Sequence, residues 1–242
     1  MVVRLTVIGS SPAWPNPGGA CSGYLVDGRL LLDCGPGVLA KLREREPGPS
    51  GWPSVEAIAI THLHLDHWGD LVPWVWGCLY GPGRSTKPAL WLPPGSTEEL
   101  RPVLHRLGTE DMLERAFDVS EYEARRPFTA AGLEVTAVPV DHYDIDAYGF
   151  RVEGGRVLAY SGDSGPCGGL AELASDADLL VCEATLERAD LDGPDRGHLD
   201  ADEAAATAAA AGAKRLLLTH RPHELLLPDT AELAYDGLEL DV

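Results

Sequence analysis

Residues 61–67 read Thr61-His62-Leu63-His64-Leu65-Asp66-His67. Four side chains that bind metals well, His62, His64, Asp66 and His67, are crowded into this one segment. They follow Val55-Glu56-Ala57-Ile58-Ala59-Ile60, a run of β-branched and small apolar residues that predicts a buried strand. If the chain stays extended through His64, His62 and His64 project to one side, because strand side chains alternate with a period of two. Leu63 and Leu65 are then expected to point into the protein. Asp66 and His67 fall where the strand gives way to a helix, facing a neighbouring point in space. The spacing predicts two adjacent metal positions rather than one. A lone histidine is more often a hydrogen-bonded core or surface residue, but that does not account for four donors at these offsets in a chain with only 8 His.

Further donors stand at the ends of later predicted strands. His142 follows the alternating run Leu133 to Val140, and Asp163 follows Arg156 to Tyr160 within Tyr160-Ser161-Gly162-Asp163-Ser164-Gly165. His220 ends Lys214 to Thr219, Glu183 ends Ala177 to Cys182, and His198 lies in Arg196-Gly197-His198-Leu199-Asp200. Strand ends are where α/β frameworks usually build their sites.

The pattern His62-x-His64-x-Asp66-His67, followed in order by His142, Asp163 and His220, resembles the metallo-β-lactamase superfamily of hydrolases over essentially the whole chain. The resemblance implies that His62, His64 and His142 hold one ion, that Asp66, His67 and His220 hold the other, and that Asp163 bridges them. It implies two divalent cations, Zn²⁺ or Mn²⁺, since mixed His/Asp ligands suit either. Within the superfamily the chain is most similar to the ribonuclease Z-like and cyclic-nucleotide-phosphodiesterase-like branch. Leu5-Thr6-Val7-Ile8-Gly9-Ser10-Ser11 resembles that branch's first strand and loop, and Ser161 to Pro166 its aspartate motif. Cys182-Glu183-Ala184-Thr185 with Gly197-His198-Leu199 resembles its paired His-Glu-Ala-Thr and Gly-His-Ser-Thr motifs. Cys182 replaces the first His and Leu199-Asp200 replaces Ser-Thr. Glu183 and His198 remain as an acid–base pair, and Cys182 is expected to be a buried thiol rather than a ligand.

Coarse patterning predicts strands near 2–8, 22–27, 29–33, 55–60, 89–92, 133–140, 147–152, 156–161, 178–182, 214–219 and 237–241. Helices are predicted near 36–45, 68–80, 96–107, 110–116, 168–175, 200–212 and 229–234, the sixth starting at the acidic Asp200-Ala201-Asp202-Glu203 and stopping at Gly212. No linker divides the chain, so residues 1–242 read as one domain. Its class is α/β (α+β), and the resemblance implies a four-layer αββα sandwich. The Pro/Gly-rich loop Pro12 to Gly19 is expected to border the site. Trp68, Trp74 and Trp76 read as core packing before a base-stacking platform, and His105 as a solvated helix residue. Arg221 is expected to contact phosphate or to pair with an acid, and His223 to border the pocket without binding metal.

Net charge is −19, with 38 acidic residues against 19 basic ones, so a large nucleic acid would be repelled. No apolar run is long enough to span a membrane. The chain enters a strand at once, without a secretory leader, and its 5 cysteines show no close pairing, which together predict a cytoplasmic protein with reduced thiols. Ribonuclease Z enzymes often insert a long arm between the third His and the bridging Asp. From His142 to Asp163 there is room only for a hairpin, so a small anionic substrate is expected instead of transfer RNA. The family is compatible with a homodimer.

Charge bookkeeping favours a phosphodiester such as a cyclic nucleotide. Two divalent cations, set against Asp66, Asp163 and a bridging hydroxide, leave about one positive charge. The expected mechanism has that hydroxide attack phosphorus in line, with Asp66 among the catalytic residues, while His198, oriented by Glu183, protonates the leaving oxygen. A lactone, ester or thioester hydrolase of the same fold is the alternative, with Tyr143 beside His142 as its candidate residue. Further alternatives are a transfer-RNA 3′-end endoribonuclease and a non-catalytic metal-binding module.

Overall fold

Alternation of apolar side chains between two layers builds this architecture. The structure, a computed structural model, describes residues 3–45, 52–81, 87–109, 111–227 and 231–242. The first half runs β1 (Arg4–Gly9), β2 (Gly23–Val26), β3 (Leu30–Leu32), α1 (Val38–Arg45), β4 (Ala57–Ala59), α2 (Leu65–Trp68), α3 (Leu71–Tyr80), β5 (Ala89–Leu92), α4 (Ser96–Arg106), α5 (Leu113–Ala116) and β6 (Asp118–Glu121). The second half runs β7 (Phe128–Ala130), β8 (Leu133–His142), β9 (Ile145–Glu153), β10 (Val157–Tyr160), α6 (Gly168–Ala174), β11 (Leu179–Glu183), a 3-10 turn at Ala189–Leu191, α7 (Ala201–Ala211), β12 (Leu216–Thr219) and β13 (Glu239–Asp241). One sheet has the order β13-β1-β2-β3-β4-β5-β6, the other β12-β11-β10-β9-β8-β7.

In β3, Leu30 and Leu32 enter the layer between the sheets while Leu31 joins the helices outside. In β11, Leu179 and Val181 face the other sheet while Leu180 and Cys182 pack under α6 and α7. A strand buried on both faces reads as a continuous apolar run, as β2, β3 and β4 do. Three apolar layers result. One lies under α1, α3 and α4, one between the sheets, and one under α6 and α7. This is the four-layer αββα sandwich expected from the sequence. Asp200 and Glu203 close a capping box at the start of α7, and Gly212 ends it at φ 73°.

Several expectations are corrected. The helix expected over 68–80 is two helices, α2 and α3, interrupted at Gly69-Asp70, where Asp70 turns its carboxylate to the Leu39 N–H. Leu65 is 62% exposed rather than inward, because α2 begins there and ends the period-two alternation; Leu63 does pack on the core. Strands β6 and β7 were not expected. Each is a short edge strand, and β6 is polar along nearly its whole length, so it carries no alternating signal. The helix expected over 229–234 falls partly outside the described residues, and 231–234 is not helical; Leu233 bridges to Leu218. Trp68 and Trp74 are core residues, whereas Trp76 is exposed beside Tyr80. His105 is exposed on α4, as expected.

Strands β3, β4 and β5 are mutually parallel, as are β10, β11 and β12, and β8 runs in the direction of β10 because both are antiparallel to β9. Their C-terminal ends therefore share one edge of the sandwich; the donors singled out in the sequence stand at or just past these ends, except His198, which lies in the loop between β11 and α7.

Candidate metal centre

Two groups of donors converge at this edge. The donor atoms of His62, His64, His142 and Asp163 all lie within 4.8 Å of one another, and so do those of Asp66, His67, Asp163 and His220. Asp163 belongs to both. A third group, Glu183, His198 and His220, adjoins them. All nine residues predicted from the sequence are thus brought together, seven of them in two clusters that share Asp163, and Glu183 and His198 in the adjoining group with His220.

The hydrogen bonds decide which nitrogen each ring presents. Thr61 Oγ1 gives its proton to Asp33 Oδ2 at 3.0 Å, so it must accept from His62 Nδ1 at 3.0 Å. His67 Nδ1 donates to Asp33 Oδ2 at 2.7 Å, and His142 Nδ1 to the Gly197 carbonyl at 2.7 Å. Thr185 Oγ1 donates to Glu183 Oε2 at 2.8 Å and so accepts from His220 Nδ1 at 2.9 Å. Four rings thus have Nδ1 tied to the protein and Nε2 turned into the cluster, as metal-binding histidines require. His64 presents Nδ1 instead, 2.9 Å from His142 Nε2.

The buried atoms at the centre lack protein partners. His62 Nε2, His67 Nε2 and Asp163 Oδ1 are buried without a hydrogen bond, which costs about 1–3 kcal/mol each unless something binds them. His220 Nε2 faces Asp66 Oδ2 at 3.0 Å, and His67 Nε2 lies 3.3 Å from both Asp66 and Asp163. Nitrogen lone pairs and carboxylates at this range hold together only with positive charge among them, as ring protons or as metal ions. The acidities agree. Burial works to raise the Asp66 carboxyl, but the neighbouring His220 and His67 rings outweigh it and hold the group well below the usual range. Asp163 is likewise lowered against its burial, by His220 and His67. Burial would lower His67, yet Asp163 and Asp33 draw a proton onto it and raise it strongly. Burial lowers His62, His64 and His142. The residues present therefore fit divalent cations, by geometry and by charge.

Glycine lets the chain reach this arrangement. Gly162 sits at φ +60°, where a Cβ would lie 2.8 Å from the Tyr148 carbonyl, and it turns Asp163 inward from the end of β10.

Beside the cluster, His198 Nδ1 bonds Glu183 Oε1 at 2.8 Å. Glu183 is fully buried and accepts from the Ser164 and Thr185 N–H groups as well. Burial pulls the His198 imidazole down, but the charge and hydrogen bond of Glu183 prevail, with Asp163 adding to them, and raise it to about 9. The His198 ring lies 4.9 Å from that of His142 and 5.9 Å from that of His220. Cys182 is a buried thiol raised by burial and is absent from the donor groups found among the described residues.

Arg221 corrects the sequence expectation. It is buried and donates to the carbonyls of Ala184, Leu186 and Leu225, and among the described residues it forms no ion pair with an acid, because a side chain directed inward beside His220 finds backbone there. Asn16, in the loop Pro12 to Gly19, binds the Arg221 carbonyl and the His223 N–H, which puts that loop beside the His220 segment.

Sequence reasoning missed Asp33. Fully buried at φ 59°, it accepts from Thr61 N–H, Thr61 Oγ1, His67 Nδ1 and Tyr160 Oη. The available signal was an acid directly after the apolar Leu30-Leu31-Leu32, leading into Cys34-Gly35-Pro36-Gly37. Thr61 and Thr185 were noticed only as neighbours, yet each assigns a ring proton.

Comparison with known proteins gives the family. Residues 28–221 match the Beta-lactamase superfamily domain. The probable metallo-hydrolase YhfI of Bacillus subtilis is 31% identical over 229 residues, covering 91% of this chain and 88% of its own. Its crystal structure superposes with a TM-score of 0.81 at 27% identity, over 100% of this chain and 99% of that one. The ribonuclease Z of Mycolicibacterium paratuberculosis is 33% identical over 245 residues, covering 90% and 86%. The short form of human tRNase Z has a TM-score of 0.75 at 27% identity, over 98% of both chains. The chain therefore belongs to the metallo-β-lactamase superfamily, in its ribonuclease Z-like branch, and is a hydrolytic enzyme of that superfamily.

Proposed function

We propose that this metallo-hydrolase cleaves a small phosphodiester, such as a cyclic nucleotide, at a centre of two divalent cations, Zn²⁺ or Mn²⁺. His62, His64, His142 and Asp163 would hold one cation, and Asp66, His67, His220 and Asp163 the other. When bound, the cations supply Lewis acidity and a water ionised near neutral pH. Against two carboxylates they leave a positive centre suited to an anionic substrate.

The observation that carries this reading is the His198–Glu183 pair. Glu183 accepts a hydrogen bond from Nδ1 at 2.8 Å, which would leave Nε2 to act as the acid beside the cluster. A phosphodiester with an alkoxide leaving group needs a proton at the leaving oxygen, and the buried Glu183 carboxylate favours the protonated form of the His198 imidazole. Tyr143, the residue for lactone or ester chemistry, has its hydroxyl bonded to Asp192, which favours the phosphodiester.

Substrate size follows from the rim. Cavities bordering the site are lined by Glu99, Asp141, Asp144, Asp146 and Asp195, and the cation among their lining residues, Arg196, is paired with Glu203. From His142 to Asp163 the chain holds the turn, β9 and β10, with no inserted arm. Such a mouth disfavours a polyanionic RNA. Among the described residues, no helix is long and apolar enough to cross a membrane.

The test is reconstitution with Zn²⁺ or Mn²⁺, a count of bound metal, and turnover of bis(p-nitrophenyl) phosphate, cyclic nucleotides, a lactone panel and a transfer-RNA precursor. Two metals with cleavage of the small diesters are expected. Turnover of lactones or precursor RNA alone would overturn the proposal.

A further inference from the structure

Tyr143 occupies a backbone position that tyrosine should avoid. His142 pairs with Ile145, so β8 and β9 are joined by Tyr143 and Asp144 alone, and Tyr143 stands at φ 50°. Two-residue hairpins usually place glycine or asparagine there, and an L-residue with a bulky side chain costs about 1–2 kcal/mol at such a φ. Strain of this kind persists where the surroundings hold it, and such places cluster at functional sites.

The surroundings form a closed ring of bonds. The Tyr143 hydroxyl donates to Asp192 Oδ1 at 2.8 Å, and Asp192 Oδ2 accepts the Gly197 N–H at 2.9 Å. The Gly197 carbonyl accepts from His142 Nδ1 at 2.7 Å, and His142 precedes Tyr143. The tyrosine ring lies on Gly197 so closely that a Cβ there would fall 2.5 Å from a ring carbon. The same ring stands 4.9 Å from that of His142 and 5.6 Å from that of His198. On its other side the loop is fixed by Arg196, which binds Glu203 and the Ala189 carbonyl.

We propose that Tyr143 and Asp192 form a latch that positions Gly197 and His198 over the metal centre, so that the strained turn sets where the proton donor stands. The latch rests on the phosphodiesterase reading given above. Tyr143 acts through its neighbours and is a positioning residue. Its hydroxyl is committed to Asp192, and its ring supplies the face against which Gly197 is seated.

The test compares Tyr143→Phe, Asp192→Ala and the double variant with the wild type, all loaded with metal. Two substrates are used. Bis(p-nitrophenyl) phosphate releases a phenolate that needs no proton, whereas a cyclic nucleotide releases an alkoxide that does. Loss of the latch is expected to lower kcat on the cyclic nucleotide about tenfold with KM little changed, and to leave the activated substrate within about twofold. The double variant should be no worse than the more impaired single one, because both remove the same link. Amide exchange at Gly197 should quicken in Tyr143→Phe although Asp192 remains. Equal losses on both substrates, or unchanged rates, would overturn the latch. If the wild type cleaves neither diester, the functional reading falls by itself, and unchanged Gly197 exchange in Tyr143→Phe then refutes the latch.

Discussion

Replacing Asp33 with asparagine should damage both stability and metal binding although Asp33 is no donor to the proposed ions. Asparagine keeps the shape and tolerates the left-handed backbone at φ 59°. Asp33 is fully buried and accepts four hydrogen bonds, three of them at Oδ2. With its amide oxygen in the Oδ2 position, asparagine serves Thr61 Oγ1, His67 and Tyr160 without charge, while its NH₂ faces the Thr61 N–H. One buried donor left unpaired costs about 1–3 kcal/mol, and weakening three charged bonds to neutral ones adds about 2–4 kcal/mol. The sum, about 3–6 kcal/mol, is a large share of the roughly 5–15 kcal/mol that holds a domain folded. The acceptor that fixes the His67 tautomer also loses its charge, and disabling such a partner lowers metal affinity about 10- to 100-fold. Tyr160→Phe is the matched control. It removes one bond to Asp33, costs about 1 kcal/mol and leaves His67 oriented. Urea unfolding with chelator, followed by tryptophan fluorescence, gives the stabilities, and competition with a chromophoric chelator gives the affinities. An Asp33→Asn protein within about 1 kcal/mol of wild type and within about twofold in metal affinity would refute the argument.

His198→Ala should keep full metal content while losing about 10²- to 10⁴-fold in turnover of alkyl diesters, and undiminished turnover would remove His198 from the mechanism. Adding Zn²⁺ or Mn²⁺ to chelator-treated protein should raise Tm, since a site filled at 100 times Kd contributes about 2.7 kcal/mol; a Tm that ignores the metal would contradict the fit of the orphaned His62, His67 and Asp163 atoms. Gly35→Ala would bring a Cβ to 1.9 Å from the Asp66 carbonyl, so lost metal binding and a clear fall in Tm are expected in the same titration. Cys21, Cys34 and Cys182 are buried, and burial pushes the Cys21 thiol up to about 12, with Asp66 adding to the shift. A thiol reagent at pH 8 should therefore titrate Cys78 and Cys167 in the native protein and all 5 thiols only after denaturation.

The metal donors were legible because the runs before them are apolar strands ending at the same sheet edge, and an apolar run that stops at His or Asp is a local signal, whereas His198 was read through its resemblance to a family motif. Asp33 was not legible in this way. Its partners Thr61, His67 and Tyr160 lie 28, 34 and 127 positions away, so no window of sequence contains the network. Leu65 shows the opposite failure. The period-two rule was carried one residue past the strand, into a helix of four residues too short to show a period of its own. Arg221 was misread because its neighbour His220 suggested a phosphate, whereas its side chain is consumed by three backbone carbonyls. Strand β6 could not be read because its side chains are mostly exposed and its pairing with β5 is set by the sheet rather than by its own residues.

The centre belongs to neither sheet alone. His62, His64, Asp66 and His67 follow β4 of one sheet, while His142, Asp163 and His220 follow β8, β10 and β12 of the other. A slip of one sheet over the other by an ångström would break both clusters, yet apolar contact between sheets is non-directional and resists sliding weakly. Two buried polar bonds cross the apolar layer just beneath the site. Tyr160 of one sheet donates to Asp33 of the other, and Tyr24 Oη lies 2.6 Å from Thr219 Oγ1, beside His220. The two tyrosine rings meet at 4.5 Å. Hydrogen bonds are directional, and in a dry layer each is expensive to break, so this pair fixes the offset of the sheets where the clusters need it. Asp33 thus sets the register between the halves as well as orienting His67, and the register is what makes two separate sets of strand ends into one site.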